Sequence, residues 1–187
     1  MELVAEIRRC RECIDTLTPN PIVQLDRDAR ILIAGQAPGR VAHEAGIPFL
    51  DASGRRLRDW MGITETDFYD AHNVAILPMA FCYPGKGSQG DLPPPGVCAD
   101  RWRDRALAAL ARVELTLLIG GYAQAWHLGV QHQSVTDTVS GWREHLPGVV
   151  PLPHPSPRNT AWLRRNPWFE ASLVPALQAR VQEILYK

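Results

Sequence analysis

Four short apolar runs recur along the chain: ARILIAG (29–35), HNVAILPM (72–79), VELTLLIGG (113–121) and GVVPLPH (148–154). Near-continuous apolar runs of this length read as strands buried on both faces. Helical patterns lie between and after them. One begins at Ser53, which suits an N-cap, and carries Leu57, Trp60 and Met61 at helical spacing. A second runs from about Ala99 to Arg112, and a third, YAQAWHLG (122–129), stops at Gly129. The last is NPWFEASLVPALQARVQEIL (166–185), with Pro167 in its first turn. Strands alternating with helices predict an α/β chain whose parallel sheet is covered on both faces. Ligands of such sheets bind beyond the carboxyl ends of the strands. Two irregular loops leave strands there, GQAPGR (35–40) and HPSPRN (154–159), and they are expected to face each other. A third loop, YPGKGSQGDLPPPG (83–96), is long enough to suggest a function.

The 187 residues suit one domain spanning 1–187, large enough to bury a core without staples. A composition of 45% hydrophobic and 21% charged residues excludes a disordered or fibrous chain. No apolar run reaches the ~18 residues of a membrane span, and the first residues, MELVAEIRRC, carry no signal-peptide core. A cytoplasmic monomer is the resulting expectation. The 20 cationic residues balance 20 acidic ones, which argues weakly against a nucleic-acid partner. Lysine occurs only at Lys86 and Lys187. Arginine therefore dominates, clustered at Arg55/Arg56/Arg58, Arg101/Arg103/Arg105 and Arg158/Arg164/Arg165. Arginine forks suit phosphate oxygens, although the first two clusters also read as solvated helix faces.

GQAPGR is neither a dinucleotide fingerprint nor a Walker loop. Gly35 and Gly39 permit close backbone approach, the amides of Gln36 and Ala37 are free to meet a ligand, and Pro38 stiffens the turn. Such a turn is also compatible with a purely structural role. His154 sits at a strand exit before the stiff Pro155-Ser156-Pro157 segment. A neutral imidazole there either donates to an anionic leaving group or is satisfied by backbone carbonyls. The four cysteines form two pairs, Cys10-x2-Cys13 and Cys82 with Cys98, the latter two with fifteen residues between them. In a reducing compartment this pattern suits zinc or an iron–sulfur cluster rather than disulfides. Four unrelated buried thiols are the third option.

Taken in order, CREC (10–13), ILIAGQAPGR (31–40), GIPFLDASG (46–54), FCYPG through Cys98, LLIGGYAQAWHLG (117–129) and PLPHPSPRN (151–159) resemble the iron–sulfur branch of the uracil-DNA glycosylase superfamily. The resemblance implies a three-layer α/β/α sandwich with a central four-stranded parallel sheet. It implies a [4Fe–4S] cluster on Cys10, Cys13, Cys82 and Cys98, zinc being the alternative. It further implies a hydrolase that flips a damaged base out of DNA and cuts its N-glycosidic bond. By the same resemblance, His154 donates to the base O2, Gln36 and Ala37 contact the base, and Phe49 stacks on it, unless Phe49 is simply core. Gly39, Arg40, Ser156, Pro157, Arg158 and Asn159 would contact DNA.

Two positions depart from that pattern. The acidic residue of the usual GEAPG is here Gln36, which cannot act as a base. Asp51, or next Glu44, would then position the water, though Asp51 suits a helix cap equally well. The base-reading Asn expected four residues before Cys82 is Pro78, and Asn73 lies too early in the strand to replace it. A 5-substituted uracil or another deaminated base joins uracil as a candidate, with Met79 or Tyr83 shaping the pocket. No lysine lies in the motifs, so the expected enzyme is monofunctional. A catalytically silent DNA-binding protein of this fold and a zinc-stabilised interaction protein are the alternatives.

Overall fold

The structure, a computed structural model, describes residues 2–88, 90–130 and 132–187. Helix α1 (Glu2–Arg8) leads through an irregular segment to β1 (Ile31–Ala34). There follow α2 (Arg40–Ala45), α3 (Ala52–Met61), α4 (Glu65–Tyr69) and β2 (Val74–Ile76). Next come α5 (Gly96–Ala108), β3 (Leu115–Ile119), α6 (Gly121–Leu128), α7 (Val135–Ser140) and β4 (Val149–Leu152). Helices α8 (Thr160–Arg165) and α9 (Val174–Tyr186) close the chain. No helix is long and apolar enough to cross a membrane among the described residues.

All four expected strands form. They make one parallel sheet in the order β2-β1-β3-β4. Alternation along each strand divides the core in two. Ile31, Ile33, Val74, Ile76, Leu115, Leu117, Ile119, Val150 and Leu152 pack with residues of α3, α4, α7, α8 and α9. On the opposite face Leu32 and Ala75 pack with Ile7 of α1 and with Trp102 and Ala106 of α5, while Ala34 and Leu118 meet Ala123 of α6. Helix layers on both faces of a parallel sheet make a three-layer α/β/α fold.

Helix boundaries differ from expectation for identifiable reasons. The cap of α3 is Asp51, not Ser53: Asp51 Oδ1 accepts from the Ser53 and Gly54 amides at 2.9 and 3.1 Å. The second helix starts earlier, at Gly96, directly after Pro95, whose φ of −59° already suits a helix entry. The expected 166–185 helix is interrupted. Asn166, which precedes a proline, leaves the helical region at φ −126°, ψ 60°. Phe169–Leu173 then forms a π-helical turn, with the Val174 amide bonded to Phe169 O. Pro175 lacks the amide that would reach Ala171, so the regular ladder resumes only beyond it.

One tight contact sets the geometry between α3 and the segment before it. Phe49 has φ 55°, a rare and strained value for a non-glycine residue. Its carbonyl lies where a Cβ on Gly54 would sit, only 1.8 Å from such an atom. Gly54→Ala should therefore force the segment apart and destabilise the fold by about 2–4 kcal/mol. Urea unfolding monitored by tryptophan fluorescence measures this, and a loss below ~0.5 kcal/mol would show that the segment yields freely.

Candidate active site

The carboxyl edge of the sheet opens into a cleft bordered by residues after β1 (35–42), before and within α3 (Pro48, Phe49 and 51–53), after β2 (Pro78, Tyr83, Lys86, Asp91) and after β4 (His154, Ser156, Pro157, Arg158). The two loops expected to face each other do so.

His154 is held from three directions. The Ser156 amide donates to its Nδ1 at 3.1 Å, and Asn159 Nδ2 donates to its carbonyl at 2.7 Å. Arg56 Nη1 donates to the Ser156 carbonyl at 3.0 Å. Because Nδ1 accepts, the neutral ring carries its proton on Nε2, an assignment made from the hydrogen-bond pattern. Burial pushes the imidazole below its ordinary pKa, and the negative charges of Asp51 and Asp91 offset this only in part. The ring is therefore a neutral Nε2–H donor bordering the cleft.

Asp51 caps α3 and also borders the cleft. Oδ1 caps α3, while Oδ2 has no protein partner among the described residues and the carboxylate borders the cleft. Phe49 also serves twice: it borders the cleft beside Gly35 and packs edge-on against Phe68, ring centroids 6.1 Å apart.

The turn after β1 is pinned from below. The Met79 and Ala80 amides donate to the carbonyls of Gly35 and Gln36 at 2.8 and 3.0 Å. The Gln36 and Ala37 amides take no backbone acceptor among the described residues. The Gln36 side chain donates through Nε2 to Leu92 O at 3.1 Å, which ties down the loop that follows β2. In that loop the Gly87 amide bonds Gly90 O at 2.6 Å and the Leu92 amide bonds Gly85 O at 2.9 Å. Lys86 and Asp91 form an antiparallel bridge.

Several expectations are revised. Met79 does not face the cleft: it is buried with Ala34, Leu118 and Ala123 on the α6 side, because its amide is committed to Gly35 O. Glu44 is exposed on α2, ion-paired with Arg40 at 2.8 Å, and does not border the cleft, whereas Arg40 and Gly39 do. Asn159 is spent on the His154 carbonyl. Lysine does reach the site, through Lys86. The arginine clusters are not solvated faces throughout: Arg56 braces the His154 loop, and Arg58 pairs with Glu65 at 2.9 Å over the Phe68 ring. Arg103 is buried, donating to Leu77 O, Pro78 O and His127 Nε2 at 2.9, 3.1 and 2.6 Å. Burial lowers Arg103 to about 10, and burial together with Arg103 lowers His127 to about 3. The roles of Arg56, Lys86 and Asp91 escaped the sequence reading because they depend on contacts across the fold. Only the length and glycine content of the 83–96 loop hinted at the last two.

Cys10, Cys13, Cys82 and Cys98 border one small apolar pocket between the α1 exit, the β2 exit and α5. The Phe81 amide donates to Cys98 Sγ and the Trp102 indole N–H to Cys10 Sγ, both at 3.4 Å. Burial raises the Cys13, Cys82 and Cys98 thiols, Cys98 to about 12. Thiolates would thus need a cationic centre among them. No three His, Cys, Asp or Glu side chains among the described residues converge on a single-ion site.

A family model described as the Uracil DNA glycosylase superfamily matches residues 22–178, which include the cleft and leave Cys10 and Cys13 outside.

The His154 geometry predicts a nitrogen-15 spectrum with Nε2 protonated and Nδ1 bare from pH 8 downward, through the ordinary histidine pKa of about 6.5. An unfolded chain protonates this residue first, so its contribution to stability is complete above about pH 6.5 and declines as pH falls below it. Ser156 has φ −56°, which proline accepts, so Ser156→Pro removes the donor to Nδ1 without straining the backbone. It should give mixed tautomers; an unchanged spectrum would separate the ring from the Ser156 amide.

Proposed function

The chain belongs to the uracil DNA glycosylase superfamily, and from that membership we propose that it hydrolyses the N-glycosidic bond of uracil, or of a related deaminated or 5-substituted base, in DNA. The observation that carries the reading is the pairing, across one cleft, of a neutral Nε2–H imidazole with a carboxylate that keeps one oxygen free.

A nucleotide extruded from the helix enters the cleft with its base against the Phe49 ring and the Gln36–Ala37 amides. As the bond from C1′ to the base nitrogen breaks, its electron pair leaves with the base. His154 Nε2–H donates to the base oxygen where that charge collects. Lowered basicity keeps the ring neutral, so Nε2–H donates a hydrogen bond while Nδ1 stays an acceptor for the Ser156 amide. The sugar becomes cationic at C1′, and Asp51 Oδ2 faces that charge and orients a water. The water oxygen bonds to C1′ and its proton passes to the carboxylate or the departed base. Gln36, unable to take a proton, holds the neighbouring loop instead. Arg40 and Arg158 at the cleft rim, with the stiff Ser156-Pro157 corner, suit the phosphates on either side.

A [4Fe–4S] cluster held by Cys10, Cys13, Cys82 and Cys98 accords with this reading, since the four thiols border one pocket and N–H donors are directed at two of the sulfurs. When bound, such a cluster supplies cross-linking of the α1 exit, the β2 exit and α5, away from the reacting atoms. Anaerobically purified protein should contain about four irons and four sulfides per chain and be brown; stoichiometric zinc without iron would overturn the cluster.

Labelled duplex and single-stranded oligonucleotides carrying uracil, 5-hydroxymethyluracil, hypoxanthine or xanthine test the activity. Scission is expected only after alkali, with no borohydride-trapped adduct. His154→Ala should lower single-turnover release about 10²–10⁴-fold and Asp51→Asn about 10²-fold or more. No release from any substrate, with DNA still bound, would instead identify a catalytically silent binder.

A further inference from the structure

Pro78 stands where a base-reading amide is expected. Its carbonyl is engaged by buried Arg103 at 3.1 Å, and proline has no amide hydrogen to offer. The groups that could read a base edge must come from elsewhere on the cleft wall. We propose that Lys86 and Asp91, projecting together from the loop after β2, read the edge of the extruded base and select bases that present a carbonyl beside a ring N–H. The inference rests on the glycosylase reading and deepens it.

The loop has the geometry for this. Residues opposed across an antiparallel bridge project their side chains to the same face, about 5 Å apart. Lys86 and Asp91 are so opposed, and both border the cleft. They form no ion pair with each other among the described residues, so the ammonium and carboxylate remain available to a ligand. The loop is anchored to the turn that meets the base, through Gln36 Nε2 to Leu92 O. The Tyr83 hydroxyl donates to Asp91 Oδ1 at 3.4 Å and orients the carboxylate. Asp91 borders the same cleft as His154, and its charge reaches the imidazole.

The chemistry of the pair then names the base class. A carboxylate accepts from a ring N–H, and an ammonium donates to a carbonyl. Deamination of cytosine replaces a bare N3 and an amino group by N3–H and O4. Deamination of adenine makes the corresponding change to N1–H and O6. Cytosine and adenine themselves would set a nitrogen lone pair against Asp91 and an amino group against Lys86.

Binding of duplexes carrying a non-cleavable 2′-fluoro nucleotide tests the pair independently of catalysis. The base would be uracil, 3-methyluracil (no N3–H) or 4-thiouracil (N3–H kept, O4 replaced by a weakly accepting sulfur). The wild-type protein should prefer uracil over each analogue at least about tenfold. Asp91→Ala should collapse the 3-methyluracil ratio, and Lys86→Met the 4-thiouracil ratio, with affinity for undamaged duplex retained. Ratios unchanged in both variants would overturn the assignment. So would a Lys86→Met protein that binds every duplex equally more weakly with a flatter salt dependence, the mark of a phosphate contact. A wild-type protein with these preferences that releases no base would support the pair while refuting the glycosylase activity.

Discussion

A parallel sheet delivers every strand exit to one edge, and in this chain that geometry assembles the site. The strands are only three to five residues long, with every member of β1 and β2 buried. They contribute core and direction, and almost no surface. The chemistry therefore sits on the segments leaving them: the turn after β1, the loop after β2 and the His154 corner after β4. Segments far apart in sequence converge because the sheet leaves them no other place to emerge.

Convergence alone would leave loops too mobile for catalysis, and α3 supplies the rigidity. Its first turn is capped by Asp51, and a turn later Arg56 reaches across to the carbonyl of Ser156. One helix thus positions the carboxylate and braces the loop that sets the His154 tautomer. The strained Phe49 backbone is over-determined by the same helix, since its carbonyl fits only against Gly54. Strain there has an evident use: it brings an aromatic ring to the cleft wall while the ring keeps its edge on Phe68.

Behind the cleft, Arg103 ties α5 to the exit of β2. Its guanidinium is buried without a carboxylate, with Nε unpartnered, and it grips the Leu77 and Pro78 carbonyls at the β2 exit. It lies on α5, the helix that carries Cys98. The buried charge costs stability, and the cost is offset by fixing the chain where it turns from the sheet toward both Cys82 and the cleft. A metal centre on the cysteines would add negative thiolate charge on this side of the sheet.

The four strands, the alternation of faces and the positions of GQAPGR and HPSPRN were legible in the sequence, because buried parallel strands need uninterrupted apolar runs and the loops are punctuated by glycine and proline. His154, Asp51 and the four cysteines could be singled out by residue type at a strand exit, a helix start and a recurrent spacing. Helix ends were less legible, since Asp51, Pro95 and Pro175 act on amides that only the folded backbone identifies. Tertiary structure alone decided that Met79 turns away from the cleft, that Glu44 is spent on Arg40, that Arg56 and Arg103 are braces rather than solvated charges, and that Lys86 and Asp91 face the site. Each of these depends on which partner arrives from another part of the chain. Local pattern specifies what a residue can bond; only the packed fold determines what stands within reach.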